Sequence, residues 1–281
     1  MINYYLLTKP GILMGNLVTV AAGFILGTKG QFDMWLFLAT LLGITLIMAS
    51  ACVFNNYIDR NVDKKMKRTK NRALVTGLIN SRNALLFATI LGILGGVILL
   101  TLTNFLTFVV AGVGFVVYVI LYSFWKSKTV YGTAIGSIAG AVPPVIGYCA
   151  ASNQFDLAAC ILFAMMVLWQ MPHFFAIALF HLEDYKRAGI PVLPLEKGVL
   201  RTKIHMILYI LAFTPVTVLL TVFGYTGNVF LIVTICLGLA WLALGIKGFS
   251  IHNNKLWGQQ MFRLSLVIIT VLCIVIPFDR M

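Results

Sequence analysis

Asn55-Asn56-Tyr57-Ile58-Asp59-Arg60-Asn61-Val62-Asp63 closes a long apolar run, and Lys64-Lys65-Met66-Lys67-Arg68-Thr69-Lys70-Asn71-Arg72 follows it directly. Two carboxylates a helical turn apart at the end of a greasy segment are not ordinary surface. Asn55, Asp59 and Asp63 stand at i, i+4 and i+8, so a helix continuing through them places all three on one face. Three oxygen-bearing side chains on one face suit a hard cation such as Mg²⁺, which takes a few carboxylates together with substrate phosphates. The basic run behind them offers what a polyanion needs. The stretch reads as a magnesium–diphosphate site at a membrane surface, and the apolar run before it as a membrane helix.

The rest of the chain agrees. Its 281 residues are 60% hydrophobic and 10% charged, whereas a soluble domain carries about 25% charged residues. A water-soluble globule is excluded. The expectation is an all-α polytopic membrane protein forming a single transmembrane domain over residues 1–281. A formal charge of +13 would point to nucleic acid in a soluble protein. Here it reflects Lys and Arg gathered in cytoplasmic loops, with membrane lipid rather than nucleic acid as the neighbour. Cys52, Cys149, Cys160, Cys236 and Cys273 lie in apolar stretches without metal-ligand spacing. They read as small core or lipid-facing residues, neither disulfides nor a zinc site. No cleavable signal peptide or Arg- and Ser-rich transit segment is recognisable, which favours the inner membrane of a bacterium.

A spanning helix needs about 20 apolar residues. On that measure nine segments stand out, at residues 11–28, 35–57, 83–103, 105–124, 130–151, 157–180, 204–223, 228–246 and 263–278. Connections after the odd segments are short and nearly uncharged; those after the even segments are longer and basic. All Lys and Arg except Lys29 and Arg280 fall on the N-terminal side. The positive-inside rule then puts the N-terminus in the cytoplasm and the C-terminus outside. Small residues recur at four-residue spacing, in Gly11/Gly15, Gly23/Gly27, Gly92/Gly96 and Gly132/Gly136/Gly140, and are read as close helix packing without chemistry. The second and sixth helices each end in carboxylates, Asp59 and Asp63 on one and Glu183 and Asp184 on the other, a pattern of one acidic motif per four-helix unit. Asp33, Asp156 and Asp279 fall in the outer connections and read as interfacial punctuation.

The motif Asn55-x-x-x-Asp59-x-x-x-Asp63, followed by Thr69-Lys70-Asn71-Arg72, resembles the first aspartate motif of the UbiA superfamily of intramembrane prenyltransferases. Further runs are similar to the branch of that family that farnesylates heme. They are Thr8-Lys9-Pro10-Gly11, Tyr131-Gly132, the run from Gly140 through Pro143-Pro144 to Tyr148, Trp169-Gln170-Met171-Pro172-His173, and Asp184-Tyr185-Lys186 leading to Gly189-Ile190-Pro191-Val192-Leu193-Pro194. The resemblance covers Thr8 to about Leu195, and the last three helices add only length and hydropathy.

It implies a bundle of nine helices around a central cavity that opens near the cytoplasmic face. It implies farnesyl diphosphate as donor and heme B as acceptor, with transfer to a vinyl group and addition of water to give heme O and diphosphate. The product would be handed to a terminal oxidase or a heme A synthase. Carried over residue by residue, Asn55, Asp59 and Asp63 hold Mg²⁺, with the two aspartates catalytic. Lys70 and Arg72 grip the diphosphate, an Arg bidentately and a Lys as a point charge. Tyr122 and Lys126 add a hydroxyl donor and a cation. The second motif departs from the superfamily pattern: His181-Leu182-Glu183-Asp184-Tyr185 stands where ubiquinone-type relatives carry Asp-x-x-x-Asp. Glu183 and Asp184 remain ligands for a second Mg²⁺, or one ion is held by the first motif.

His173 follows Pro172 in an apolar helix that the proline should kink or open. An imidazole there can ligate heme iron, act as a base near the vinyl, or bond a carbonyl freed by the proline. Two other functions compete. A UbiA-type enzyme acting on an aromatic acceptor in quinone synthesis would be expected to keep the second acidic motif. A transporter would be expected to break its helices near the midplane, and Pro143-Pro144 is such a break, but the carboxylates gather at one face instead.

Overall fold

Apolar runs this long cannot leave backbone polar groups unpaired in lipid, and the helix satisfies them within one segment. The computed structural model describes residues 2–28 and 30–280. Among them are nine helices long and apolar enough to cross a membrane. They are α1 (Pro10–Gly27), α2 (Met34–Asp63), α3 (Ser81–Leu102), α4 (Phe105–Trp125), α5 (Gly132–Ser152), α6 (Leu157–Phe180), α7 (Val199–Val222), α8 (Asn228–Lys247) and α9 (Asn254–Asp279). The protein is a multi-pass membrane protein. A short helix, Ile2–Leu7, precedes α1, and two more, Leu182–Ala188 and Leu193–Glu196, lie between α6 and α7.

Several boundaries differ from the hydropathy reading. Helix α2 runs on to Asp63 rather than ending near residue 57, so the whole acidic motif is helical. Helices α7 and α9 begin at Val199 and Asn254, ahead of the expected 204 and 263. Those added turns carry Arg201, Lys203 and Lys255, which hydropathy discounts although helix formation tolerates them well. The expected break at Pro143-Pro144 is absent, because α5 is helical throughout, and α6 likewise continues through Pro172. Membrane helices tolerate proline where neighbouring helices pack closely enough to accommodate the freed backbone groups.

The aspartates at the face away from the basic loops are helix caps. Asp33 accepts from the Trp35 and Leu36 amides at 2.9 and 3.0 Å, and Asp156 from those of Ala158 and Ala159. Asn104 caps α4 through the Thr107 amide and ties it to the end of α5 through the Cys149 and Ala150 carbonyls. Each cap satisfies donors that a helix start leaves open. Asp279 reaches across to the start of α8, accepting from the Phe230 amide at 2.6 Å. Its neighbour Arg280 donates to the Ile25 carbonyl and the Thr28 hydroxyl at the end of α1.

The helices follow one another round a ring, each packed on the next, and α9 returns to pack on α1. Across the ring α1 lies on α5, and α6 on α9. Helices α5 and α6 are buried along most of their length, whereas α3 turns Leu86, Ile90, Ile93, Leu94 and Val97 outward to lipid. Glycine permits the closest contact. A Cβ on Gly23 would lie 2.0 Å from the Pro144 carbonyl oxygen, and one on Gly147 2.0 Å from that of Val20. The backbones of α1 and α5 therefore touch.

Candidate active site

Inside the ring lies a cavity of about 860 Å³, polar at the face that carries the basic loops and aromatic deeper in. Its polar end is built by four elements. Helix α2 supplies Asn55, Asp59 and Asp63, all buried and all lining the cavity, as the spacing predicts. Lys9 precedes α1, and its ammonium donates to Asn55 Oδ1 at 2.6 Å. Asn55 Nδ2 donates to the Ser123 hydroxyl at 3.3 Å, so the amide oxygen is the end offered to Lys9. Lys126, just past α4, pairs with Asp59. Arg72 pairs with Asp63 Oδ2 at 2.7 Å, and the Thr69 hydroxyl donates to the Asp63 carbonyl, folding the basic loop back over the helix end.

Tyr118 and Tyr122 line the same wall, their rings stacked with centroids 5.6 Å apart. They stand on a π-helical stretch, Val117–Tyr122, which widens the turn near the end of α4. Such stretches recur at functional sites. Opposite, α5 presents Gly132, Gly136 and Gly140. A Cβ at these positions would meet the Lys126 backbone at 2.5 Å, the Tyr122 ring at 2.9 Å and the Gln170 amide at 2.3 Å. The glycine stripe read from the sequence as plain packing is thus what makes room for three cavity-lining residues.

The basic run divides. Arg68 and Arg72 line the cavity, whereas Lys70 is exposed and does not. After Asp63 the chain leaves the helix for a series of turns, and helical spacing no longer tells which cations face inward. Lys9 and Arg68, which carried no role in the reading of the motifs, occupy that place instead. Removal of the Lys9 ammonium from water pulls it down to about 8, with Arg72 and Lys126 adding to the effect and Asp59 opposing it.

The second motif is also redistributed. Glu183 is exposed, and Asp184, though buried, is outside the cavity lining. Asp184 accepts from the Lys67 amide at 3.1 Å and stands 3.9 Å from both His181 and Arg187. It fastens the loop after α2 to the segment after α6. Met66, Ala178, Ala188, Ile190 and Val192 pack into one apolar cluster beneath that contact. Tyr185 does line the cavity, with the Arg68 guanidinium 5.7 Å from its ring centre. Asn56 faces away from the cavity and holds the short N-terminal helix through the Leu7 carbonyl at 2.7 Å.

The oxygen set suits Mg²⁺. Asn55, Asp59 and Asp63 are hard ligands on one face, and the second oxygen of each carboxylate has no hydrogen-bond partner among the described residues. No three His, Cys, Asp or Glu side chains converge among those residues. An ion held here would need water and substrate phosphate to complete its shell, as Mg²⁺ commonly takes. The cations Lys9, Arg68, Arg72 and Lys126 outnumber the two carboxylates, leaving positive charge for an anionic substrate.

At the deep end the His173 ring is stacked on Trp169, centroids 4.8 Å apart, and lies 5.0 Å from Phe262. Its Nδ1 is 2.7 Å from the Ser265 hydroxyl, and Trp169 Nε1 donates to the Ser265 carbonyl. The imidazole thus bonds a side chain of α9, not a carbonyl freed by Pro172. Toward the membrane, the lining runs out to exposed Ile12 and Val18 on α1 and Leu266 on α9.

A model of the UbiA prenyltransferase family matches residues 16–267. A protoheme IX farnesyltransferase of Protochlamydia amoebophila (strain UWE25) is 61% identical over 280 residues, covering 99% of each chain. Among solved structures, a digeranylgeranylglyceryl phosphate synthase superposes with a TM-score of 0.81 at 18% identity, over 98% of this chain and 96% of that one. A UbiA homologue from Archaeoglobus fulgidus bound to GPP and Mg²⁺ superposes with a TM-score of 0.69 at 18% identity, over 98% and 99%. The ring of nine helices is the fold these structures share.

Proposed function

The chain belongs to the UbiA prenyltransferase family, and on that premise we propose that it transfers the farnesyl group of farnesyl diphosphate to a vinyl group of heme B, with addition of water, giving heme O and diphosphate. The full-length identity to a protoheme IX farnesyltransferase carries this reading. The two-ended cavity supports it, with cations and oxygen ligands at one end and stacked aromatic rings around an imidazole at the other.

Asn55, Asp59 and Asp63 hold one Mg²⁺ in this reading, as the binding of GPP and Mg²⁺ by the Archaeoglobus protein encourages. When bound, the ion offsets negative charge that develops on the diphosphate as the allylic C–O bond breaks. Lys9, Arg68, Arg72 and Lys126 bind the phosphate oxygens, and Tyr122 offers a hydroxyl donor to the same group. The apolar wall below keeps bulk water from the farnesyl fragment while it carries positive charge. Asp184 acts by holding the roof of the site rather than by binding a second ion. The basic face is cytoplasmic, and the membrane is the inner membrane of a bacterium.

The test is incubation of the purified protein with heme B, farnesyl diphosphate and Mg²⁺, followed by mass analysis of the heme. Heme O is the expected product, and its formation should cease on chelation of the metal. No farnesylated heme, alongside prenylation of a hydroxybenzoate, would overturn the assignment.

A further inference from the structure

Gln170 is a primary amide in an apolar place. It is 4% exposed and lines the cavity, yet its side chain makes no hydrogen bond among the described residues. Buried amides are nearly always paired, because leaving one unpaired is costly. Glycine makes room for it: a Cβ on Gly140 would lie 2.3 Å from Gln170 Oε1 and 2.7 Å from Nε2. The amide rests on the bare backbone of α5 at the cavity wall.

His173 lies three residues on along α6 and meets Ser265 through Nδ1. The Ser265 hydroxyl donates its one proton to the Phe262 carbonyl at 2.7 Å. With the hydroxyl proton on that carbonyl, the 2.7 Å contact between Ser265 Oγ and His173 Nδ1 is a bond donated by Nδ1–H. The lone pair of the neutral ring is left on Nε2, and contacts with Trp169 and Phe262 hold the ring in place. An unprotonated nitrogen and an unpaired amide thus share one wall of the cavity.

The reaction proposed above, on which this inference rests, needs both. The allylic C–O bond breaks and its electron pair leaves with diphosphate. The π pair of the heme vinyl then forms the new C–C bond, and positive charge passes to the vinyl carbon next to the porphyrin ring. A water oxygen must bond to that carbon and release a proton, or the carbon loses a neighbouring proton and an unhydrated alkene results. Bulk water would intercept the farnesyl fragment too early, so a single held water is required. We propose that the Gln170 amide holds this water and that His173 Nε2 receives the proton it releases.

The experiment compares hydrated with unhydrated farnesyl heme by mass, using the full-length protein in lipid with heme B and farnesyl diphosphate. In Gln170→Leu the ratio of hydrated to unhydrated product should fall about tenfold, the effect of one lost hydrogen bond of ordinary strength, whatever the total turnover. Gly140→Ala keeps the amide but displaces it, and should shift the ratio in the same direction. Because the three atoms nearest the added methyl all belong to the end of the Gln170 side chain, this variant also serves if Gln170→Leu does not fold. An unchanged ratio in the folded variants, or a change confined to the KM for heme, overturns the proposal alone. Absence of any farnesylated heme from the unmodified protein would instead remove the reading of the preceding subsection.

Discussion

Asp59 and Asp63 differ from other acidic residues of the chain in being buried, cavity-lining and each paired with a cation. Replacing either by Asn keeps the shape and removes the charge. Each change should lower diphosphate release about a hundredfold, the scale for losing one group that stabilises developing charge. Rates near normal in both variants would remove the metal assignment. The cations separate more finely: Arg68→Ala and Lys9→Ala should raise the KM for farnesyl diphosphate, while Lys70→Ala, outside the cavity lining, should change it by less than about twofold. Steady-state kinetics on the three variants decides this. That Asn55, Asp59 and Asp63 share one face was legible because α2 stays helical to Asp63 and helical spacing is rigid. Lys9 and Arg68 were not, because they reach the site through a helix start and a folded loop whose geometry no periodicity encodes.

At the scale of elements, four-residue glycine spacing has three different meanings here. Gly23 lets the backbones of α1 and α5 meet, Gly140 seats an amide, and Gly15 has nothing within 4 Å of where its Cβ would stand. Spacing alone cannot separate these cases, since it records periodicity and not what stands opposite. Gly23→Ala should cost about 1–3 kcal/mol by overpacking, whereas Gly15→Ala should stay within about 0.5 kcal/mol. Thermal unfolding of both in one detergent tests the contrast. Helix number and order were readable from hydropathy because a lipid solvent demands long apolar runs. The π-helical stretch of α4 was not, for no residue type in Val117–Tyr122 announces a widened turn. The second acidic motif was misleading in another way. Asp184 sits in an acidic pair after a spanning helix, as a ligand would, but its partner is the Lys67 amide and its work is to join two loops.

For the whole molecule, the ring places every basic loop at one face and closes the other with Asp279 and Arg280. An alkaline phosphatase fused to the C-terminus should therefore be active, and a fluorescent protein fused there dark, in bacterial cells. The opposite pattern would invert the orientation. The cavity also reaches the side of the ring between its first and last helices, where Ile12, Val18 and Leu266 are at once lining and exposed. A substrate with a long apolar tail can enter there without leaving the lipid. The quantity that governs its encounter with the site is then its mole fraction in the bilayer, and not its concentration in the surrounding water. Diluting the membrane with inert lipid should slow turnover even when the amounts of enzyme and farnesyl diphosphate per millilitre stay the same, as in a reaction confined to two dimensions.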